Sequence, residues 1–167
     1  MTVMDAGLHA EIAAFIEDEA RLLDDQDFAA WLDLFDDDCR YWVPISRDQK
    51  APGDGVAHFN DEKQLMAART HRLMNPRAFG AEPSPRTAHV VSGVRIDRVD
   101  ANGGLVVSSS QIVIEYRRRD RFEADSRVFG GRFTHRLRLD GTNWRITEKR
   151  VDLINAEGSM NALAAPF

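Results

Sequence analysis

Residues 127–154 read RVFGGRFTHRLRLDGTNWRITEKRVDLI. Within them Arg132, Arg136 and Arg138 alternate with Phe133, Leu137 and Leu139, and Arg145 and Lys149 share a run with Trp144, Ile146 and Val151. Side chains two residues apart along a strand lie on one face. The stretch therefore predicts two strands, Arg127–Leu139 and Asn143–Ile154, with one apolar sheet face and one rich in arginine. Asp140-Gly141 lies between them. Both residue types tolerate the positive φ of a tight turn, so the strands form a hairpin.

Upstream, Arg86–Val99 and Leu105–Arg119 also read as long strands and meet at Asn102-Gly103-Gly104, a second hairpin turn. Three long antiparallel strands joined by hairpins follow. Gly103-Gly104 and Gly130-Gly131 lack the flanks of a phosphate loop and read as turns or bulges.

Before Arg86 the period changes. Leu8, Ile12, Phe15, Ile16, Ala20 and Leu23 recur at helical spacing over Leu8–Asp24, with acids and Arg21 on the other face. A second short helix, Phe28–Phe35, has Asp27 to accept its free first-turn amides. Asp36-Asp37-Asp38 is expected to end it, because carboxylates repel the negative end of a helix dipole. Cys39–Ile45 reads as a strand that Pro44 restricts to an edge or an end. Ala51–Gly55 is a loop, and Asn60 or Asp61 caps a third helix carrying Leu65, Met66, Arg69, Arg72 and Leu73. The proline-rich stretch Asn75–Pro85 fits neither a regular helix nor a central strand.

Helices first and a curled sheet afterwards make the class α+β. The expected architecture is a cone, a strongly curved mixed or antiparallel sheet with the N-terminal helices packed in its concave face. One domain is expected over residues 1–167, with tails at about 1–7 and 158–167.

The chain has 167 residues, 43% hydrophobic and 29% charged, with a net charge of −5, an ordinary globular balance. That acidity argues against phosphate-backbone binding, so no nucleic-acid partner is expected. The basic run Arg117-Arg118-Arg119 with Arg121 is cancelled by Asp120, Glu123 and Asp125 and reads as a solvated turn or ion-pair surface. No run approaches the ~20 apolar residues of a membrane span. Neither a membrane partner nor a secretory signal is expected.

Cys39 is the single cysteine. It allows no internal disulfide and no iron–sulfur cluster, and it suggests a reducing, cytoplasmic compartment. His9, His58, His71, His89 and His135 show no close helical metal spacing. No metal or cofactor is expected in this chain.

Three readings remain open. Asp38, Tyr41, His89 and His135 could converge inside a cone as an acid/base set for dehydration or isomerisation. The bland reading is that Asp38 closes a helix end and the histidines hydrogen-bond within strands. Alternatively the arginine-rich sheet face serves protein contact, since guanidinium pairs with carboxylates and stacks on aromatics. The interface candidates are Trp42, Arg86, His89, Arg132, Arg136, Arg138, Trp144 and Arg145. A third possibility is that the cone binds a small molecule.

Several segments, in order, resemble the small (beta) subunits of aromatic-ring-hydroxylating dioxygenases. They are Glu19–Asp24 (EARLLD), Trp31–Phe35 (WLDLF) and Asp38–Pro44 (DCRYWVP), then Asp61 with Leu65, Arg69, Arg72 and Leu73. Pro83–Val94 (PSPRTAHVVSGV), Phe129–Arg138 (FGGRFTHRLR) and Trp144–Asn155 (WRITEKRVDLIN) follow. Each piece alone is weak and together they are specific. Pro85 and Ala88, where relatives often carry arginine, and Gly93, where asparagine is frequent, are the local departures.

The resemblance implies a cone similar to nuclear transport factor 2 and scytalone dehydratase. It implies a non-catalytic subunit in a hexamer of three large and three small chains, with beta–beta contacts. The Rieske [2Fe-2S] cluster and the mononuclear Fe(II) would reside in the large (alpha) subunit, with NAD(P)H acting through a separate reductase.

Overall fold

The computed structural model describes residues 3–75, 85–118, 124–158 and 166–167. Helix α1 spans Val3–Asp24, α2 Phe28–Asp33 and α3 Lys63–Met74. The strands are β1 (Phe35–Pro44), β2 (Ala57–Asp61), β3 (Arg86–Val99), β4 (Leu105–Arg118), β5 (Ala124–Asp140) and β6 (Asn143–Leu153). They form one mixed six-stranded sheet in the order β2-β1-β6-β5-β4-β3. Among the described residues only β1 and β6 pair in parallel.

The long strands lie where alternation puts them, to within three residues at their ends. Gly103 and Gly141 take φ of 81° and 62° in the two hairpin turns, a conformation that costs glycine nothing. Long strands need hairpins to fold back, so this half of the sheet is a meander of four strands.

The first half departs from expectation in four places. Helix α2 stops at Asp33, and Phe35 opens β1, whose hydrogen bonding begins as Ile146 N–H donates to the Leu34 carbonyl. Asp36, Asp37 and Asp38 therefore lie in a strand and do not close a helix. Beyond Phe35 the pairing with β6 is irregular until Arg40, which accommodates three adjacent acids. Strand β2 falls where a helix cap was expected: Asp61 is its last residue and Glu62 is the N-cap of α3, without a side-chain bond. A five-residue strand is too short to display an alternation. Helix α1 also begins at Val3, within the N-terminal stretch read as a tail.

Asp27 does cap α2, its carboxylate accepting from Ala30 N–H at 3.1 Å. Pro44 ends β1, as its missing N–H requires. Helix α1 buries Ile12, Ile16, Ala20 and Leu23 against the sheet's inner face. Trp31, Phe35, Tyr41, Phe133, Val107 and Val151 complete the core there. Each such large apolar side chain contributes about 1.5–3 kcal/mol on burial. Residues 76–84 of the proline-rich stretch and residues 119–123, which the sequence reads as part of a basic turn, lie outside the described residues.

Candidate functional site

The inner face of the sheet holds a charged network as well as apolar side chains. Glu19, on α1, accepts from Lys149 Nζ (β6) at 2.6 Å, from His135 Nε2 (β5) at 2.9 Å and from Trp31 Nε1 (α2) at 3.0 Å. All four residues are at most 1% exposed. Burial by itself would raise the Glu19 pKa, but the Lys149 charge and His135, with their hydrogen bonds, outweigh it and hold the carboxyl well below the usual range. Burial lowers the His135 pKa against the pull of Glu19, which favours the neutral ring. Lys149 also donates to a main-chain oxygen of Phe167, and Phe167 N–H donates to Tyr41 Oη at 2.9 Å.

A second pair lies toward the β3 edge. Asp24 receives the His89 ring Nδ1 at 2.6 Å, the His89 backbone N–H at 2.8 Å and Thr87 Oγ1 at 2.9 Å. Burial lowers the His89 pKa, and Asp24 opposes that shift. Glu19 and Asp24 are five residues apart on one helix, about 7.5 Å along its axis. The two histidines thus sit in separate carboxylate pairs.

The expected set of Asp38, Tyr41, His89 and His135 is not assembled. Asp38 is exposed on β1, and the Tyr41 hydroxyl is engaged by Phe167. The acids that meet the histidines are Glu19 and Asp24, which were read as part of a solvated helix face. A signal was present: Glu19 stands three residues after Ile16 and seven after Ile12, inside the apolar stripe. Among the described residues no three His, Cys, Asp or Glu side chains cluster as metal ligands would. Cys39 is buried, its thiol 3.9 Å from Met66 Sδ.

The outer face is different in kind. Register places Val90, Ile112, Ile114 and Val128 side by side on β3, β4 and β5, at 54%, 48%, 44% and 63% exposure. Next to them lies a groove of about 660 Å³ lined by Arg47, Val90, Ile112, Arg132, Arg150 and Ile154.

Comparison with known proteins interprets this two-faced cone. Residues 18–157 match the family model described as ring hydroxylating beta subunit. The chain belongs to that family. This beta subunit is 37% identical over 145 residues to the beta subunit of N,N-dimethyl phenylurea N-demethylase from Sphingobium sp. (strain YBL2), covering 84% of this chain and 80% of that one. It is 33% identical over 147 residues to the beta subunit of biphenyl 2,3-dioxygenase from Rhodococcus jostii (strain RHA1), covering 83% and 76%. Its fold matches the beta subunit of benzoate 1,2-dioxygenase from Burkholderia mallei ATCC 23344, with a TM-score of 0.72 and 25% identity over 90% of this chain and 93% of that one. The family and the cone fold expected from the sequence are both borne out.

The interface candidates fall into three groups on this beta subunit. Arg86 and Arg132 are exposed, Arg86 over the Tyr116 ring at 4.9 Å and Arg132 on the groove. Arg136, Arg138 and Arg145 are engaged within the chain, with Glu148 at 3.3 Å, Asp36 at 2.8 Å and the Asp33 carbonyl respectively. Trp42, Trp144 and His89 are each held by contacts within the chain. Trp42 is 1% exposed under the Arg150 guanidinium, 4.4 Å from its ring. Trp144 is tied to α1 through Nε1 and Glu11 at 2.7 Å. The His89 side chain is 1% exposed and faces inward. Strand alternation assigns a face, but not whether another element covers it.

Proposed function

We propose that this beta subunit is the structural, non-catalytic member of a Rieske-type ring-hydroxylating dioxygenase. It stabilises a trimer of large subunits in a cytoplasmic α3β3 hexamer. The relatives include beta subunits of biphenyl and benzoate dioxygenases, which supports an aromatic substrate for the assembled enzyme. In this reading the Rieske cluster and mononuclear iron belong to the large subunit, and a separate reductase delivers electrons from NAD(P)H.

The observation that carries the reading is the outer apolar stripe. Val90, Ile112, Ile114 and Val128 form one patch of strand side chains beside a groove edged by arginines. A contiguous apolar patch with a polar rim is how a partner surface is built. Arg86 and Arg132 are the proposed rim contacts. Threefold symmetry repeats each contact, so modest patches suffice for a tight assembly.

The test is co-expression with the large subunit, followed by light scattering, iron analysis and oxygen uptake. The complex is expected to have the mass of six chains, with iron and turnover only when both subunits are present. Stoichiometric iron, or oxygen uptake with an aromatic substrate, from this chain alone would sink the proposal.

A further inference from the structure

The groove on the outer face has a gap in its floor and unpaired charge beside it. Register sets Val90 (β3), Ile112 (β4) and Gly130 (β5) in one row across the sheet. Ile154 extends the row, its N–H donating to the Gly130 carbonyl. Ile112 and Ile154 thus flank a residue without a side chain, two strand spacings or about 10 Å apart. Packing does not demand that glycine. A Cβ on Gly130 would meet only the Gln111 carbonyl oxygen at 3.8 Å and Ile112 Cγ1 at 4.0 Å, and Gly130 lacks a positive φ. A Cβ on Gly131, by contrast, would collide with the Asp152 carbonyl. Two residues along β5 from Gly130, about 7 Å away on the same face, stands Arg132. Its neighbour across the ladder is Asp152, whose two carboxylate oxygens both accept from Arg150 at 2.7 Å. Arg47, from the loop after β1, lines the same groove. Neither Arg47 nor Arg132 forms an ion pair among the described residues.

We infer that this groove receives a segment of the large subunit carrying a bulky apolar side chain and, about 7 Å from it, a carboxylate. The apolar side chain fills the gap over Gly130 between Ile112 and Ile154. The carboxylate pairs with Arg132 and Arg47. The inference rests on the assembly reading above and adds the chemistry of the contact. Charge selects the class. Arg47, Arg132 and Arg150 face the single carboxylate of Asp152, so the groove is cationic. A wholly apolar segment would fill the gap but cover two guanidiniums that have no counter-charge. A basic segment would meet like charge. A phosphate alone would pair with the arginines and leave Val90, Ile112 and Ile154 in water, at 54%, 48% and 74% exposure.

The test is a competition for the large subunit. Wild-type chain and one variant are co-expressed with it, and their ratio in the purified complex is compared with that in the lysate by mass spectrometry. Gly130→Val fills the gap with a strand-favouring residue, so its urea midpoint is expected to equal or exceed that of the wild type. The wild type is nonetheless expected to be enriched over it about tenfold in the complex. Enrichment over Arg132→Gln is expected to be about three- to tenfold. The Arg132→Gln complex is also expected to dissociate faster in dilute salt, the two rates converging at about 1 M salt, where charges are screened within about 3 Å. Equal uptake of either variant overturns the inference, and so does an Arg132→Gln deficit that high salt leaves unchanged. In each of these cases the assembly reading stands, because the complex still forms. A wild-type chain that enters no complex overturns both. Should Gly130→Val lower the urea midpoint, Gly130→Ala replaces it, with an expected enrichment of about threefold for the added methyl. Equal uptake then overturns the inference in the same way.

Discussion

Strand β5 carries charge-capable side chains on both of its faces, and they face opposite physics. His135 turns inward and meets Glu19 with both side chains at most 1% exposed. Arg136, the next residue, turns outward and meets Glu148 with side chains 45% and 30% exposed. Inside, water cannot take over a lost partner, so each charge depends on the group opposite it. Outside, water competes for both partners and screens them, so the pair contributes little to stability. The inner network therefore specifies how the helices seat in the sheet. The outer face is the one proposed above for assembly.

The sharpest way to break this contrast is to strand the inner lysine. Glu19→Gln leaves Lys149 buried without its counter-charge and is expected to cost about 3–5 kcal/mol in urea unfolding. A cost below about 1 kcal/mol would mean the interior is wetter than described.

The outer face predicts the opposite division of effects. Ile112→Thr with Val128→Thr keeps strand-favouring residues while removing apolar contact area. Stability is expected to stay within about 0.5 kcal/mol per site. Association with the large subunit should weaken by about 2 kcal/mol, as for loss of a hot spot. Loss of fold without loss of association would reverse the assignment of the two faces.

The pH dependence sharpens the inner side. Burial lowers the pKa of His89 and of His135 from 6.5. The unfolded chain then binds more protons than the folded one below that value, so stability falls as pH drops through it. Glu19, lowered from 4.5 by Lys149 and His135 against its burial, adds a further loss below that pH. Each group contributes at most about 1.4 kcal/mol per pH unit. Urea midpoints that stay flat from about pH 8 to about pH 5 would contradict two neutral buried imidazoles.

The smallest effect belongs to the outer pair. Arg136→Gln is expected to change stability by no more than about 0.5 kcal/mol, and less in high salt. A larger change would place Arg136 in a network that geometry does not display.

The long strands were legible because alternation over a dozen residues is a strong signal and glycine marks the turns. Strand β2 and the true start of β1 were not, since five residues and three consecutive aspartates carry no period. Trp42 shows the same limit on the outer face: its parity was readable, but its cover is Arg150, more than a hundred residues away in sequence.

From sequence alone came the element order from β3 to β6, the α+β class and the family, because these depend on local periodicity and on residues in sequence order. Only the tertiary structure decided which carboxylates the histidines meet and where residue 167 ends up. Glu19 reaches Lys149 across 130 positions and His135 across 116. Contacts that distant exist only once the sheet has curled around α1, and no local spacing records that closure.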